Sequence, residues 1–223
     1  MNVDALSGPQ GGPLNFSFAI QNVRSLNIST KNDITLQKII AICNLGTDFI
    51  LLSDLRLNSI KQISALNDIL KKFFLKGYSF HHNSPSPSRG VGILIKKSVT
   101  DNNFSIMDSC HDDEGNFLAL QINCNNTKFC LAAIYGPNHD DEINFFSNLS
   151  NILKDLNIPV IIGGDWNATL DKSKVSCNID IVNMQNIPSF KRSNAINEIC
   201  NNQSLISSFL YTFRAAKKSL TYL

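Results

Sequence analysis

The chain has 223 residues, which fits one large domain or at most two small ones. Hydrophobic residues make up 43% of the sequence and charged residues 17%, so the composition supplies a core and excludes a largely disordered protein. The formal net charge of +2 is too small to indicate a polyanion-binding protein, and no apolar stretch approaches the roughly 20 residues of a membrane-spanning helix.

Residues 1–13 are rich in Gly and Pro and lack the basic start and apolar run of a secretory signal, so we predict a flexible leader. The six cysteines form no C-x-x-C pair and no zinc-like spacing with the four histidines. We therefore predict free thiols in an intracellular compartment. Because no repeat and no dividing linker is visible, we also predict one domain over residues 14–223.

Predicted strands and helices alternate in the first part of this domain. Apolar alternation predicts a strand over Leu14–Val23, and a continuous apolar run predicts a buried strand over Phe49–Leu52. Helical spacing covers Asp33–Cys43 and Ile60–Phe74, and a further strand begins at Gly77.

Several adjacent strands follow the Ser-Pro loop at residues 84–88. Their predicted ranges are Gly90–Ile95, Phe104–Met107, Phe117–Ile122 and Phe129–Tyr135, with turns at Gly115-Asn116 and Asn125-Asn126. The order then runs through a helix over Asp140–Leu156, a strand before Asp165, a helix over Asn194–Cys200 and a strand over Leu210–Phe213. This order predicts an α/β fold in which two sheets pack face to face with helices outside.

The most informative stretch is the run from Ile161 to Thr169. An apolar strand reaches two glycines and then delivers Asp165 and Asn167, which alternation places on the same side of an extended segment. Their oxygens suit a hard metal ion, and the amide also offers N–H donors to a phosphate. A polar turn after a core strand is the plain alternative.

Three more apolar strands end in a polar side chain, at Asn22, Asp54 and Tyr135. Active sites favour such positions because a rigid sheet aims the side chains. Each residue also has a structural interpretation: Asn22 caps the chain leaving its strand, Asp54 pairs with Arg56 or caps the helix near Ser59, and Tyr135 belongs to the core. Four polar strand ends together are harder to attribute to turn chemistry.

Five motifs in this order resemble those of the endonuclease/exonuclease/phosphatase superfamily, and most of all the endonuclease domain of non-LTR (LINE-type) retrotransposons. The resemblance covers about residues 14–223. The motifs are Asn22-Val23-Arg24-Ser25-Leu26, Leu52-Ser53-Asp54-Leu55-Arg56-Leu57, the run from Arg89 to Ile95, Ile134-Tyr135-Gly136-Pro137-Asn138 and Gly164-Asp165-Trp166-Asn167.

The resemblance implies a four-layered α/β sandwich of two mixed β-sheets and Mg²⁺-dependent hydrolysis of phosphodiesters, with Mn²⁺ as a possible substitute. Asp54 matches the acidic metal ligand, which is usually Glu, and Asn22 matches the carboxamide beside that metal. Tyr135 matches the residue that hydrogen-bonds the phosphate. Asp165 matches the acid that orients or deprotonates the attacking water, and Asn167 the group that steadies the phosphoryl oxygens.

The same resemblance implies double-stranded DNA as the partner of a monomer that acts in the nucleus. Thr212 matches a strand residue near the DNA-binding face, and Arg24, Asn138 and Arg214 are further candidate DNA-binding residues. Metal and donor groups would stabilise the extra negative charge of a pentavalent phosphorus. An activated water would be the nucleophile, so no Ser or Cys nucleophile is needed.

The family pattern ends with a Ser-x-Ile-Asp-like strand and a Ser-Asp-His triplet, and neither is complete in this sequence. None of the four histidines substitutes for the second element. We therefore expect a domain truncated at its C-terminus, with its C-terminal strands missing and its nuclease activity impaired. The alternatives are another phosphoesterase of the superfamily (an apurinic-site endonuclease or a phosphatase) and a catalytically dead remnant that binds nucleic acid.

Overall fold

A computed structural model describes residues 16–26, 33–57, 59–73, 77–101, 103–137, 144–168 and 190–202. Its elements, in chain order, are β1 Phe18–Asn22, α1 Asp33–Cys43, β2 Phe49–Ser53, α2 Ile60–Phe73, β3 Tyr78–Asn83, β4 Val91–Lys96, α3 Lys97–Thr100, β5 Phe104–His111, β6 Phe117–Cys124, β7 Thr127–Tyr135, α4 Asn144–Lys154, β8 Val160–Asp165 and α5 Phe190–Asn202.

The chain divides into two compact units, which are described separately. The larger unit comprises Met1–Tyr135 and Ile161–Asp165, and the smaller unit comprises Gly136–Val160 and Trp166–Leu223. The larger unit contains the strands of both sheets, except for Val160 at the start of β8. No helix in the described ranges is both long enough and apolar enough to cross a membrane.

The first sheet has the strand order β1-β2-β4-β3 and is mixed. Strand β1 runs parallel to β2, with Asn22 opposite Ser53, whereas β4 is antiparallel to both β2 and β3. Because β1 and β2 are parallel, their C-terminal residues lie at the same edge of the sheet. The polar residues at the ends of these two strands are therefore neighbours.

The second sheet has the order β5-β6-β7-β8. Strands β6 and β7 form a hairpin in which Cys124 pairs with Thr127, and the two turn residues Asn125 and Asn126 both have positive φ. Such two-residue turns match the twist of the flanking strands, and Asn tolerates the left-handed region. The predicted Asn125-Asn126 turn is thus confirmed.

The core explains why β2 is apolar along its whole length. Phe49 and Leu51 pack with the second sheet, for example with Leu131, while Ile50 and Leu52 pack on the other face among residues of α1 and α2. A strand that is covered on both faces has a continuous run of apolar residues in its sequence. The predicted α/β sandwich of two sheets packed face to face is confirmed.

The smaller unit contains a packed helix pair. Helices α4 and α5 contact each other. The buried apolar side chains of this pair are Phe146, Leu149 and Leu153 on α4 and Ile196 and Ile199 on α5. Their spacing of three or four residues places each set on one helical face.

Some boundaries differ from the predictions. Strand β5 continues to His111, because pairs such as Cys110 with Ala119 extend the ladder beyond the apolar alternation. Helix α3 was not predicted, since four residues are too few for a periodic pattern. Helix α5 begins at Phe190 rather than Asn194. The predicted strand over Leu210–Phe213 and the leader over residues 1–13 lie outside the described residues.

Strand β3 carries a pH-dependent contribution to stability at His82. Its Nδ1 atom is buried without a hydrogen-bond partner, and its ring stacks on Phe80 at 5.1 Å between centroids. Burial, with a smaller effect from the neighbouring His81, lowers the pKa of His82. Because the pKa is lowered in the folded chain, the unfolded chain binds the proton more readily. The contribution of His82 to the free energy of unfolding is therefore fully present above the unfolded pKa of about 6.5 and is lost as the pH falls below it.

We therefore expect His82→Phe, which keeps an aromatic ring against Phe80, to reduce the loss of Tm between pH 7.5 and 5.5. Thermal melts at both pH values measure this loss. The exposed His111 provides a matched control, and His111→Phe should leave the pH dependence of Tm as in the wild type. An unchanged loss of Tm in His82→Phe would contradict the assignment.

Candidate active site

A hydrogen bond between Asn22 and Asp165 joins the ends of β1 and β8. The Asn22 Nδ2 atom donates to the Asp165 Oδ2 atom at 2.5 Å, across 143 residues of sequence. The Asn22 Oδ1 atom accepts from the Arg24 backbone N–H at 3.0 Å, so both ends of the amide are held. Two of the predicted site residues are therefore in direct contact.

The glycines before Asp165 permit close packing of β8. A Cβ atom on Gly163 would meet the side chains of Ile20 and Leu51 in the first sheet, and one on Gly164 would overlap the backbone of Ile134 in β7. Gly164 also has a φ of +152°, which L side chains rarely adopt. The Gly-Gly pair thus lets the end of β8 pack closely on the first sheet and on β7, which is a structural role beyond that of a turn.

The loop after β1 is held by Lys38 of α1. The Lys38 ammonium donates to the carbonyl oxygens of Val23 at 3.0 Å and of Arg24 and Ser25 at 3.2 Å each. Arg24 and Ser25 have φ values of 47° and 77°, a region that is unfavourable for residues other than Gly. Three carbonyls match the three N–H donors of one ammonium group, so Lys38 fixes the loop that in turn orients Asn22.

Replacing Lys38 with Met should lower the free energy of unfolding by about 2 kcal/mol, because several charge-assisted hydrogen bonds are lost. It should also speed hydrogen exchange at the amides of Ser25 and Leu26, which bond to the carbonyls of Asp54 and Leu55. Lys61→Met, at an exposed position of α2, is the control. Wild-type exchange at both amides in Lys38→Met would show that the loop does not depend on the lysine.

Asp54 follows β2 and is paired with Arg56. Its carboxylate is buried and accepts from Arg56 Nε at 2.7 Å and from Arg56 Nη2 at 2.9 Å. The structural interpretation of Asp54 as a partner of Arg56 is therefore correct. The hydrogen bond to Asp54 raises the pKa of Arg56, and interaction with Tyr135 adds to this rise.

Tyr135 ends β7 and is buried. Its side chain interacts with Arg56, so the guanidinium lies beside both the Asp54 carboxylate and the phenol. The Tyr135 backbone N–H donates to the Asn116 carbonyl at 2.8 Å. With its amide turned to satisfy both neighbours, Asn116 donates to the Tyr135 carbonyl at 3.2 Å and accepts from Arg89 Nη1 at 2.9 Å.

Left-handed backbone conformations concentrate in these loops. Among the described residues other than Gly, three with positive φ are turn asparagines, and the remaining five are Arg24, Ser25, Asp54, Arg56 and Asn167. Strained backbone of this kind persists where the surrounding structure over-determines it, and it clusters at functional sites. In the larger unit, it affects the segments directly after β1 and β2.

The remaining predicted residues are in several places. Asn167 belongs to the smaller unit, where its Nδ2 atom donates to the Gly136 carbonyl at 2.5 Å. Arg24 is exposed on the loop after β1. Asn138, Thr212 and Arg214 lie outside the described residues. Their predicted roles stay predictions.

Sequence reasoning assigned no role at the site to Lys38, Arg89 or Asn116. In the sequence, Lys38 looks like any polar residue of a helix. Its partners are backbone carbonyl oxygens, which no sequence pattern identifies. Asn116 was assigned to a turn, which is correct, but its bridge between Arg89 and β7 depends on pairing across the fold. The position of Arg89 directly before the Gly90-Val91 strand start was the available hint.

The donor atoms of the site fit a hard divalent cation in type. Asp54, Asp165 and Asn22 all present oxygen, which Mg²⁺ prefers. In the part of the chain that the structure describes, no three His, Cys, Asp or Glu side chains gather into a metal-binding cluster. The Asp54 carboxylate is also engaged by Arg56, so a cation that binds there must share or replace that partner.

By sequence, no family model matches the chain, and no curated protein matches it. Solved structures do resemble it. An AP endonuclease from Archaeoglobus fulgidus is 12% identical, with 84% of this chain and 70% of that chain covered and a TM-score of 0.55. The 3′ phosphatase NExo from Neisseria, bound to a product DNA hairpin, is 15% identical, with coverage of 84% and 71% and a TM-score of 0.55.

TDP2 from D. rerio, complexed with a single-strand DNA product, is 19% identical, with 73% of this chain and 64% of that chain covered and a TM-score of 0.50. The chain thus spans less than two thirds of that structure. At these identities the likeness establishes the fold alone. It is the fold that the resemblance to the endonuclease/exonuclease/phosphatase superfamily implied.

Proposed function

We propose that this chain is a divalent-metal-dependent phosphodiester hydrolase that nicks double-stranded DNA, as the endonuclease domain of a non-LTR retrotransposon. The observation that carries the proposal is the contact between Asn22 and Asp165, which come from distant parts of the sequence. Turn chemistry explains each residue alone but gives no reason for the two to meet. The order and spacing of the five motifs support the superfamily, and less specifically its retrotransposon branch.

Asp165 is the proposed acid that orients the attacking water. A carboxylate next to the scissile phosphate can accept the proton that water loses as it attacks, provided that its geometry is fixed. The amide of Asn22 supplies that fixation by donating to Oδ2. The amide is itself held by the Arg24 backbone, and the loop by Lys38.

Tyr135 and Arg56 are the proposed donors to the phosphate. Both are on the larger unit, and they interact with each other. A phenol and a guanidinium can stabilise the negative charge that develops on the phosphoryl oxygens. For Asn167 we propose the role that the family pattern implies, which is to steady phosphoryl oxygens.

Asp54 and Asn22 would hold the metal. A bound Mg²⁺ or Mn²⁺ would polarise a phosphoryl oxygen and neutralise developing charge. For DNA contact we propose Arg24, Asn138, Thr212 and Arg214, with a monomer acting on nuclear DNA. Arg24 is exposed on the loop after β1, which suits a phosphate contact.

A second candidate function is that of a DNA-repair phosphoesterase. The AP endonuclease and the 3′ phosphatase share the fold of this chain, which favours abasic or 3′-phosphate DNA as the alternative substrate.

The test measures the rates at which the chain cleaves supercoiled plasmid, abasic duplex and 3′-phosphate duplex in the presence of Mg²⁺. Nicking of intact plasmid at least as fast as cleavage of the abasic duplex is the expected result. Strong preference for abasic or 3′-phosphate DNA would replace the first proposal with the second. Salt-sensitive DNA binding without cleavage of any substrate would indicate a binding remnant and overturn both.

A further inference from the structure

The Asp54 carboxylate already has a cationic partner. Both of its oxygens accept from Arg56, at 2.7 and 2.9 Å, in a two-pronged ion pair. The Asp54 side chain is 5% exposed, and that of Arg56 is 44% exposed. The carboxylate is therefore fixed and enclosed, whereas the guanidinium lies at the surface, where it can move.

The pairing follows from the backbone of the loop. Asp54 and Arg56 both have left-handed conformations, with φ values of 61° and 56°. The Arg56 N–H donates to the Arg89 carbonyl at 2.9 Å, and the Ser25 N–H donates to the Asp54 carbonyl at 2.8 Å. These bonds anchor the loop on both sides, so the ion pair belongs to a constrained segment.

We propose that Arg56 is a resident cation that competes with the divalent metal for Asp54. A buried carboxylate without a partner is costly, so in the metal-free chain the guanidinium satisfies it. A guanidinium and a divalent cation on one carboxylate would repel each other at short range. Metal binding and the Arg56–Asp54 ion pair are thus alternative states, and Arg56 sets the metal affinity. This inference rests on the proposed role of Asp54 as a metal ligand.

The experiment measures Mn²⁺ affinity by electron paramagnetic resonance, on the full chain without DNA. Arg56→Gln should bind Mn²⁺ about tenfold more tightly than the wild type, because the metal no longer displaces a charge-assisted ion pair. Lys61→Gln removes one positive charge from an exposed position of α2 and should change the affinity by less than about twofold. Asp54→Asn should weaken Mn²⁺ binding by about tenfold or more.

Arg56→Lys guards against a folding defect in Arg56→Gln. Lysine keeps the charge but cannot make the two-pronged contact. The Mn²⁺ affinity of Arg56→Lys should therefore lie between those of the wild type and Arg56→Gln. Equal Mn²⁺ affinity in the wild type and both Arg56 variants overturns the proposal. So does unchanged affinity in Asp54→Asn.

Plasmid nicking by the same preparations separates this inference from the proposed function. If the wild type nicks plasmid but the Arg56 variants bind Mn²⁺ with the same affinity as the wild type, the inference is overturned and the proposed function stands. Tighter Mn²⁺ binding in Arg56→Gln without any DNA cleavage by the wild type would support the inference and count against the function.

Discussion

Replacing Asp165 with Ala should lower the rate of metal-dependent nicking by about 10²- to 10⁴-fold, because the group that orients and deprotonates the attacking water is lost. Supercoiled plasmid in Mg²⁺ measures the rate through conversion to the open circular form. Asn22→Ala leaves the Asp165 carboxylate in place but removes its hydrogen bond and a proposed metal ligand, so a loss of at least about tenfold is expected.

The matched control for Asp165→Ala is Asp155→Ala, since Asp155 is an exposed carboxylate that precedes β8. Wild-type nicking is expected for this variant. Wild-type nicking by Asp165→Ala as well would remove Asp165 from the catalytic site. Thermal melts of all three variants show whether a loss of activity results from a loss of folded protein.

Gly164→Ala should destabilise the larger unit by about 3 kcal/mol or more, as measured by urea unfolding. The added Cβ would overlap the Ile134 carbonyl oxygen, and the φ of +152° is itself strained for an L side chain. Since a backbone atom of β7 cannot move aside as a flexible side chain does, β8 would have to separate from its neighbour. This change should therefore also displace Asp165.

Gly46→Ala distinguishes the overlap from the strain. Gly46 has a φ of +68°, but the nearest atom to an added Cβ is the Asn44 carbonyl oxygen at 4.0 Å. Its cost should be about 1 kcal/mol, from backbone conformation alone. Equal destabilisation of the two variants would show that the contact of β8 with β7 is not tight.

The sequence was a good guide to elements with a clear period. Helix α1 has the predicted bounds of Asp33–Cys43, and the apolar run at Phe49 forms β2, because burial of both faces leaves a strong signal. The extension of β5 to His111 was missed. Its polar and partly exposed residues are held by pairing with β6, which no local pattern reveals.

Candidate site residues could be predicted where a polar residue follows an apolar strand. Asn22 and Asp165 were identified on that ground, and the structure places them in contact. The pairing of Asp54 with Arg56 was foreseen only as an alternative, since two residues of separation permit it but do not require it. Lys38 was not foreseen, because its partners are backbone carbonyls and every residue type offers one.

A crystal structure of the chain soaked with Mn²⁺ and a non-hydrolysable DNA duplex tests the central claim, that these strand ends form one metal and phosphate site. We expect an anomalous peak with oxygens of Asp54 and Asn22 at roughly 2.0–2.6 Å, a backbone phosphate beside Tyr135, and Arg56 moved off Asp54. A peak remote from these residues, with Arg56 still bound to both oxygens of Asp54, would contradict the account.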